Sequence, residues 1–438
     1  MVGDGFWSYG FGLEYNFSQS SPVIGVRMKK NIFFVLAAIW SLSLMLTSTA
    51  CQKTYTLGPL AVPTNTPVFT NSPTKTGTPT RTPSNTPTVT PTFTAGLTPP
   101  PMNIYCSSET APLKTGSGSY GIHYATQMIP LCDGWMLYGD LTTNKIQAVN
   151  ALYGIVGSSY QLSAVPGELA YDPTTGFLYA VLTGASFVAK VDLNNGTVTN
   201  IMLPAEGVHL AAANNGRFFV TLTTNYNWPN EYISYIDGNS NTVLSSFSMG
   251  SFNADAYIAC SSAGTTLYVG ADGCSNCTTY QFAFNTGTYA LSTQFTDSGT
   301  YTSNGEDMSI SPDQNHLVWV NGGGNGGGYT IFDIFTTNIN NTYGSFATGA
   351  YPTSAGFSPD SANIAATNGS DLQVFSVTTH AASKSTWVGA APGVTCCPTN
   401  IYDLLKTRFS KGGGYVFGLD VPTYSNPAPS TIVWESFP

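Results

Sequence analysis

Two stretches of this chain, 47 residues apart, say nearly the same thing: "SISPDQNHLVWV" from Ser309 and "GFSPDSANIAAT" from Gly356, each a Ser-Pro-Asp turn running into an apolar strand. A third copy, "YDPTTGFLYAVL" from Tyr171, places Pro173 six residues before Tyr179, as Pro312 stands six before Val318 and Pro359 six before Ala365. Weaker copies centre on Tyr138, Phe219, Tyr268 and Val416. The seven anchors are spaced 40 to 51 residues apart, close to the roughly 40–50 residues of one four-stranded propeller blade.

A second strand signal follows every anchor: "KIQAVN", "FVAKVDLNNGTV", "YISYIDGNSNTV", "TTYQFAFNTGTY", "YTIFDIF", "LQVFSV" and "TIVWES". Asn-Gly and Gly-Asn pairs after several of them suit tight hairpins. Composition agrees, since charged residues are only 8% while Gly (45), Tyr (25) and Phe (24) are abundant, which favours strands and turns over helix. One small twisted sheet cannot bury both of its faces alone, so the units must stack radially. The expectation is an all-β chain: a seven-bladed β-propeller over residues 102–438, preceded by a signal or anchor helix and a disordered Thr/Pro linker. The chain ends in what the repeat phase makes a third strand, so the missing outer strand should come from Met102 to Thr126, for instance "MNIYC" or "GIHYAT".

"FLYAVLTGASFVAKVDLNNGTV" and "YISYIDGNSNTV" resemble the YVTN-type repeats of surface-layer-like and exported propeller proteins, and the Ser-Pro-Asp turns resemble related propeller repeats. The resemblance implies a fold and is nearly silent on activity.

Ahead of the repeats stands an address. "MKKNIFFVLAAIWSLSLMLTSTAC", Met28 to Cys51, has a basic start at Lys29 and Lys30, an apolar stretch from Ile32 to Leu46 and a small-residue exit. It resembles a bacterial lipoprotein signal peptide, which implies lipidation of Cys51, although Ser48 stands where that pattern usually carries Leu. A plain secretory signal and an uncleaved anchor are the alternatives. Residues 1–27 read as the product of a start codon upstream of the true one, Met28, and are excluded from the fold. Residues 52–101 repeat Thr-Pro and form a spacer, rising about 3.1 Å per residue where polyproline-like.

Export favours disulfides. Eight cysteines less the lipid site leave an odd number, so at least one should be a buried thiol. Cys106 with Cys132 would staple the leading segment to the first blade. Cys274 and Cys277 ("CSNC") suit a local disulfide, free thiols or a metal; adjacent Cys396 and Cys397 suit a vicinal disulfide, soft-metal ligands or two separate thiols.

For a site, the repeat frame picks residues about five before each turn proline, where innermost strands meet the central channel: Glu168, His209, Asp255 or Tyr257, Asp307, Ser354, and Tyr402 or Asp403. They suggest a polar, mainly acidic rim that binds a cation or a polyhydroxylated ligand, against the plainer role of capping the channel. No resident cofactor is expected beyond that cation, and the metal is unspecified. Net charge is -9 with no Lys/Arg cluster, which argues against nucleic acid. The expected function is an exported, membrane-anchored lipoprotein of the cell envelope whose propeller binds a protein or glycan without catalysis. The alternatives are a lactonase-like hydrolase or lyase with a cation at the channel mouth, and a structural envelope component.

Overall fold

The computed structural model describes residues 100–437 except 111–113, 224–231, 249–255, 272–279, 297–304, 322–330, 337–341, 348–352, 368–370, 388–401 and 423–428. The signal segment 28–51, residues 1–27 and nearly all of the Thr/Pro spacer lie outside the described residues, as do Cys51, Cys274, Cys277, Cys396, Cys397 and Asp255. Among the described residues there are 28 strands and no helix. The strands form seven four-stranded antiparallel sheets.

The innermost strands are Met128–Pro130, Pro166–Asp172, Gly207–Ala212, Ala256–Cys260, Gly305–Ile310, Ser354–Phe357 and Tyr402–Phe409. Each lies beside the next, and Tyr402–Phe409 returns to Met128–Pro130. This is an all-β propeller fold. Each repeat anchor falls in the second strand of its sheet, for example Tyr179 in Phe177–Leu182 and Val318 in His316–Asn321.

The sheets are not seven like units, because the last repeat lacks an outer strand and takes one from within residues 102–126, as the sequence suggests. Six are built from four consecutive strands, whereas the seventh is composite. Its three inner strands, Tyr402–Phe409, Tyr415–Pro422 and Ser430–Ser436, come from one end of the fold, and its outermost strand, Ser117–Ile122, from the other. The closing pair is antiparallel from Ser117 opposite Glu435 to Ile122 opposite Ser430. That strand takes in only the first two residues of "GIHYAT", and "MNIYC" is not part of it. Closure covers an edge of Ser430–Ser436 that would otherwise offer unpaired backbone groups.

The period-2 alternation of the strands explains the stacking. Leu178 and Ala180 pack toward the first sheet with Leu137 and Ile146, while Tyr179 and Val181 pack toward the third with Phe218 and Val220. The same division repeats around the molecule, and Phe417 and Trp434 of the composite sheet meet Met136 and Tyr138 of the first. The core is therefore a set of wedges between sheets, and fully burying one large side chain there stabilises by about 1.5–3 kcal/mol. Aromatic rings fill several wedges, with Tyr179 stacked on Phe218 at 4.1 Å and Phe219 on Tyr235 at 4.5 Å.

The repeated Ser-Pro-Asp has a local cause. Ser311 Oγ donates to Asp313 and accepts from the backbone of His316 at 2.9 Å, while the Asp313 carboxylate accepts from Asn315 N at 3.0 Å. Ser358, Asp360, Ala362 and Asn363 repeat every bond. A hydroxyl and a carboxylate thus satisfy the donors that the turn leaves over. Gln314 and Ser361, at the same place in each turn, take positive φ of 64° and 63°.

Packing between the fourth and fifth sheets allows a direct check. A Cβ on Gly270 would lie 2.4 Å from the ring of Trp319, whose side chain is fully buried and cannot swing away. Gly270→Ala is expected to cost about 1–3 kcal/mol of stability in chemical denaturation. Gly121→Ala, where a Cβ meets nothing within 4 Å, should be near neutral, and equal losses for the two would contradict this packing.

Candidate functional site at the propeller axis

The turns set the level of each inner strand. Ser311 and Ser410 open equivalent turns, donating their N–H to His316 O and Tyr415 O at 2.8 Å each, and Ser358 does the same to Asn363 O at 2.8 Å. Four residues before these serines stand Asp307, Lys406 and Ser354. The same step back from Ser261 and Ala213, which open the turns of the fourth and third sheets, reaches Tyr257 and His209. Glu168 joins them from the second sheet, beside a register irregularity between Pro166 and Leu169. Six of the seven inner strands therefore contribute one layer of mostly polar side chains.

Asp307 is the centre of that layer and is only 2% exposed. Arg408 grips it with two bonds, Nη1 to Oδ2 at 2.8 Å and Nη2 to Oδ1 at 3.0 Å, the paired geometry that suits guanidinium and carboxylate. Lys406 Nζ adds a third contact to Oδ1 at 3.1 Å. Ser354 Oγ donates to Oδ2 at 2.7 Å, and Ala355 N does so at 3.3 Å. Burial alone would raise the Asp307 carboxyl, but the Arg408 and Lys406 charges override it and hold it well below the usual carboxylate range.

Glu168 forms the second half of the cluster. Its Oε2 meets His209 Nδ1 at 2.8 Å and accepts from Leu210 N at 3.1 Å, and its Oε1 lies 3.9 Å from Lys406 Nζ. Burial pushes this carboxyl up, and the His209 charge and hydrogen bond, with Lys406, bring it below its ordinary value. The His209 ring leans on Tyr257 at 4.2 Å, and Tyr257 meets Trp319 edge-on at 6.3 Å. The layer is thus joined through Lys406 from the second sheet to the seventh.

Of the residues picked from the sequence, Glu168, His209, Tyr257, Asp307 and Ser354 come together. Asp255 lies outside the described residues. Tyr402 and Asp403 lie in the seventh inner strand, but the turn register puts Lys406 rather than either at the level of Asp307. A bulge between Leu404 and Lys406 breaks the simple alternation. Lys406 and Arg408 are what sequence reasoning missed, although a signal was present: Ser410 is the counterpart of Ser311, and counting back four residues from it reaches Lys406.

Chemically, the cluster is balanced rather than acidic. Two carboxylates face one ammonium, one guanidinium and an imidazole. Among the described residues no group of three or more His, Cys, Asp or Glu is placed to hold a metal ion. Away from the axis, Cys106 and Cys132 are joined in a disulfide. Cys260 is a buried thiol whose pKa burial pushes up to about 12.

No family model and no curated protein matches the chain. Among solved structures it is similar to a chain of hydrazine synthase from Kuenenia stuttgartiensis, with a TM-score of 0.54 and 12% identity over 70% of this chain and 97% of that one. At that identity the likeness is one of fold.

Asp307→Asn leaves buried Lys406 and part-buried Arg408 without their main counter-charge, and it is expected to cost about 3 kcal/mol in equilibrium unfolding. The pH dependence follows from the direction of the shifts. Carboxyls held below their ordinary values stabilise fully above the usual range near 4, and lose that contribution as pH falls through the folded values. The parent protein should therefore lose stability more steeply on acidification below about pH 5 than Asp307→Asn does. Parallel acid limbs would contradict the ion-pair account.

Proposed function

We propose that this chain is an exported lipoprotein, held to a membrane through Cys51, whose propeller binds a protein or glycan partner at the cell envelope without catalysis. The composite sheet counts as a blade in this reading, which gives a closed seven-bladed disc of the YVTN type. The observation that carries the non-catalytic reading is the pairing at the axis. Glu168 and Asp307, the acids best placed for acid-base work or for a cation, already engage His209, Lys406, Ser354 and Arg408. A lactonase-like enzyme would need at least one of them free to meet substrate or metal. The ligand surface is then a face of the disc, and the axial cluster keeps that disc rigid.

The address is supported by the basic, apolar and small-residue order of Met28 to Cys51 and by the spacer that follows it. The full chain, expressed in a bacterial host fed an alkyne-bearing palmitate, should acquire the label, and Cys51→Ser should lose it. Equal labelling of the two chains would remove the lipoprotein reading. For the site, a panel of lactones and esters with calcium should show no turnover that Glu168→Gln abolishes, and loss of a measurable turnover in that variant would favour the enzyme.

A further inference from the structure

The seventh sheet has an incomplete turn. Ser410 matches Ser311 and Ser358, its Oγ accepting from Tyr415 N at 3.1 Å as theirs accept from His316 and Asn363. Two residues on, where the fifth and sixth sheets carry Asp313 and Asp360, stands Gly412. The carboxylate is nonetheless present. Glu109, about 300 residues earlier in the chain, accepts from Ser410 Oγ and from Gly414 N, the latter at 3.2 Å. Asp313 and Asp360 accept from the equivalent hydroxyls and from the equivalent backbone groups, Asn315 N and Ala362 N. A Cβ on Gly412 would run into Glu109, 2.4 Å from its backbone N and 2.7 Å from its carboxyl carbon, so the glycine leaves room for both the strap backbone and the carboxylate that stands in.

Glu109 belongs to a strap, residues 100–110, laid over the turns on one face of the disc. Pro100 O accepts from the Trp135 indole at 2.8 Å, and Ile104 O from the Tyr171 hydroxyl. Tyr105 donates to Thr175 O at 3.2 Å. Cys106 is bonded to Cys132, and the second oxygen of Glu109 accepts from Asp133 N. The strap thereby ties the first, second and seventh sheets together immediately before the chain turns into the closing strand Ser117–Ile122.

We propose that the strap is a latch, in which a carboxylate-accepting site on the seventh sheet is filled by Glu109 and a pull on the Thr/Pro spacer is carried by the Cys106–Cys132 bond. The connectivity dictates the load path. Tension entering at Cys106 passes directly to Cys132 in the first sheet, and the 26-residue separation between them, which contains the whole closing strand, is bypassed. Peeling Ser117–Ile122 away from Ser430–Ser436, the cheapest way to open a disc sealed by one strand pair, is removed from the path. The purpose of the latch rests on the reading that the chain is tethered through its N-terminal end. The two fail separately, since palmitate labelling that does not depend on Cys51 would remove the tether and leave the latch measurements untouched.

Two measurements test it. In thermal unfolding, Glu109→Ala and Ser410→Ala should each lower the melting temperature, and the double variant should lose less than the sum of the two. Losses that add in full would overturn the pairing of the Glu109 carboxylate with the turn. In single-molecule pulling, the full chain is held at its N-terminus and at a handle joined by azide–alkyne coupling to an azidophenylalanine that replaces exposed Ser240. The disulfide-bonded protein should lack, and Cys106→Ser/Cys132→Ser should show, an early step releasing about 90 Å of contour. The step in both proteins, or in neither, would overturn the latch.

Discussion

Everything in this molecule follows from sheets that are apolar on both faces. A four-stranded sheet with Leu178 and Ala180 on one side and Tyr179 and Val181 on the other cannot leave either side in water. It needs a neighbour each way, and that neighbour has the same need. An open row of such sheets would end in two bare faces, so a ring is the arrangement in which every face is covered. Hydrophobic burial thus imposes closure before any polar contact is considered, and the composite sheet is the means by which a linear chain achieves it.

Closure brings the inner strands together and creates the second problem of the fold, a polar axis. Side chains there are partly withdrawn from solvent, where an unpaired charge is costly and a paired, hydrogen-bonded one is tolerated. The layer meets this with Lys406 and Arg408 from a single strand, set between Glu168 and Asp307 from two others. In a chain with only 14 lysines and arginines, placing two on one inner strand indicates how strongly the axial acids require partners. The bonds cross from the second sheet to the seventh, so the same contacts that neutralise charge also fix the sheets against one another around the axis.

Much of this was legible in the sequence because turn chemistry and alternation are local. The Ser-Pro-Asp echo locates the turn, the turn locates the inner strand, and the inner strand locates Glu168, His209, Tyr257, Asp307 and Ser354. What was not legible depends on bulges and on contacts distant along the chain. The irregularity before Lys406 shifted the count in the seventh sheet, so Asp403 stood in for a cation and the layer read as acidic. "MNIYC" carries enough β-branched and aromatic character to pass for a strand, yet Ile104 is buried against turns and Cys106 is bonded to Cys132. Glu109 bears no local sign of its role, because the only trace of it is a glycine about 300 residues away where two sister turns have aspartate.

The ring is sealed by a strand from the leading end of the fold, and the protection of that strand's backbone reports the seal directly. In native-state hydrogen exchange, the amides of Ser117–Ile122 that face Ser430–Ser436 should exchange as slowly as those of Phe177–Leu182 and respond to denaturant in the same way. Exchange within seconds at Ser117–Ile122, with the other sheets still protected, would mean that the ring is open in solution and that burial of the sheet faces does not enforce closure.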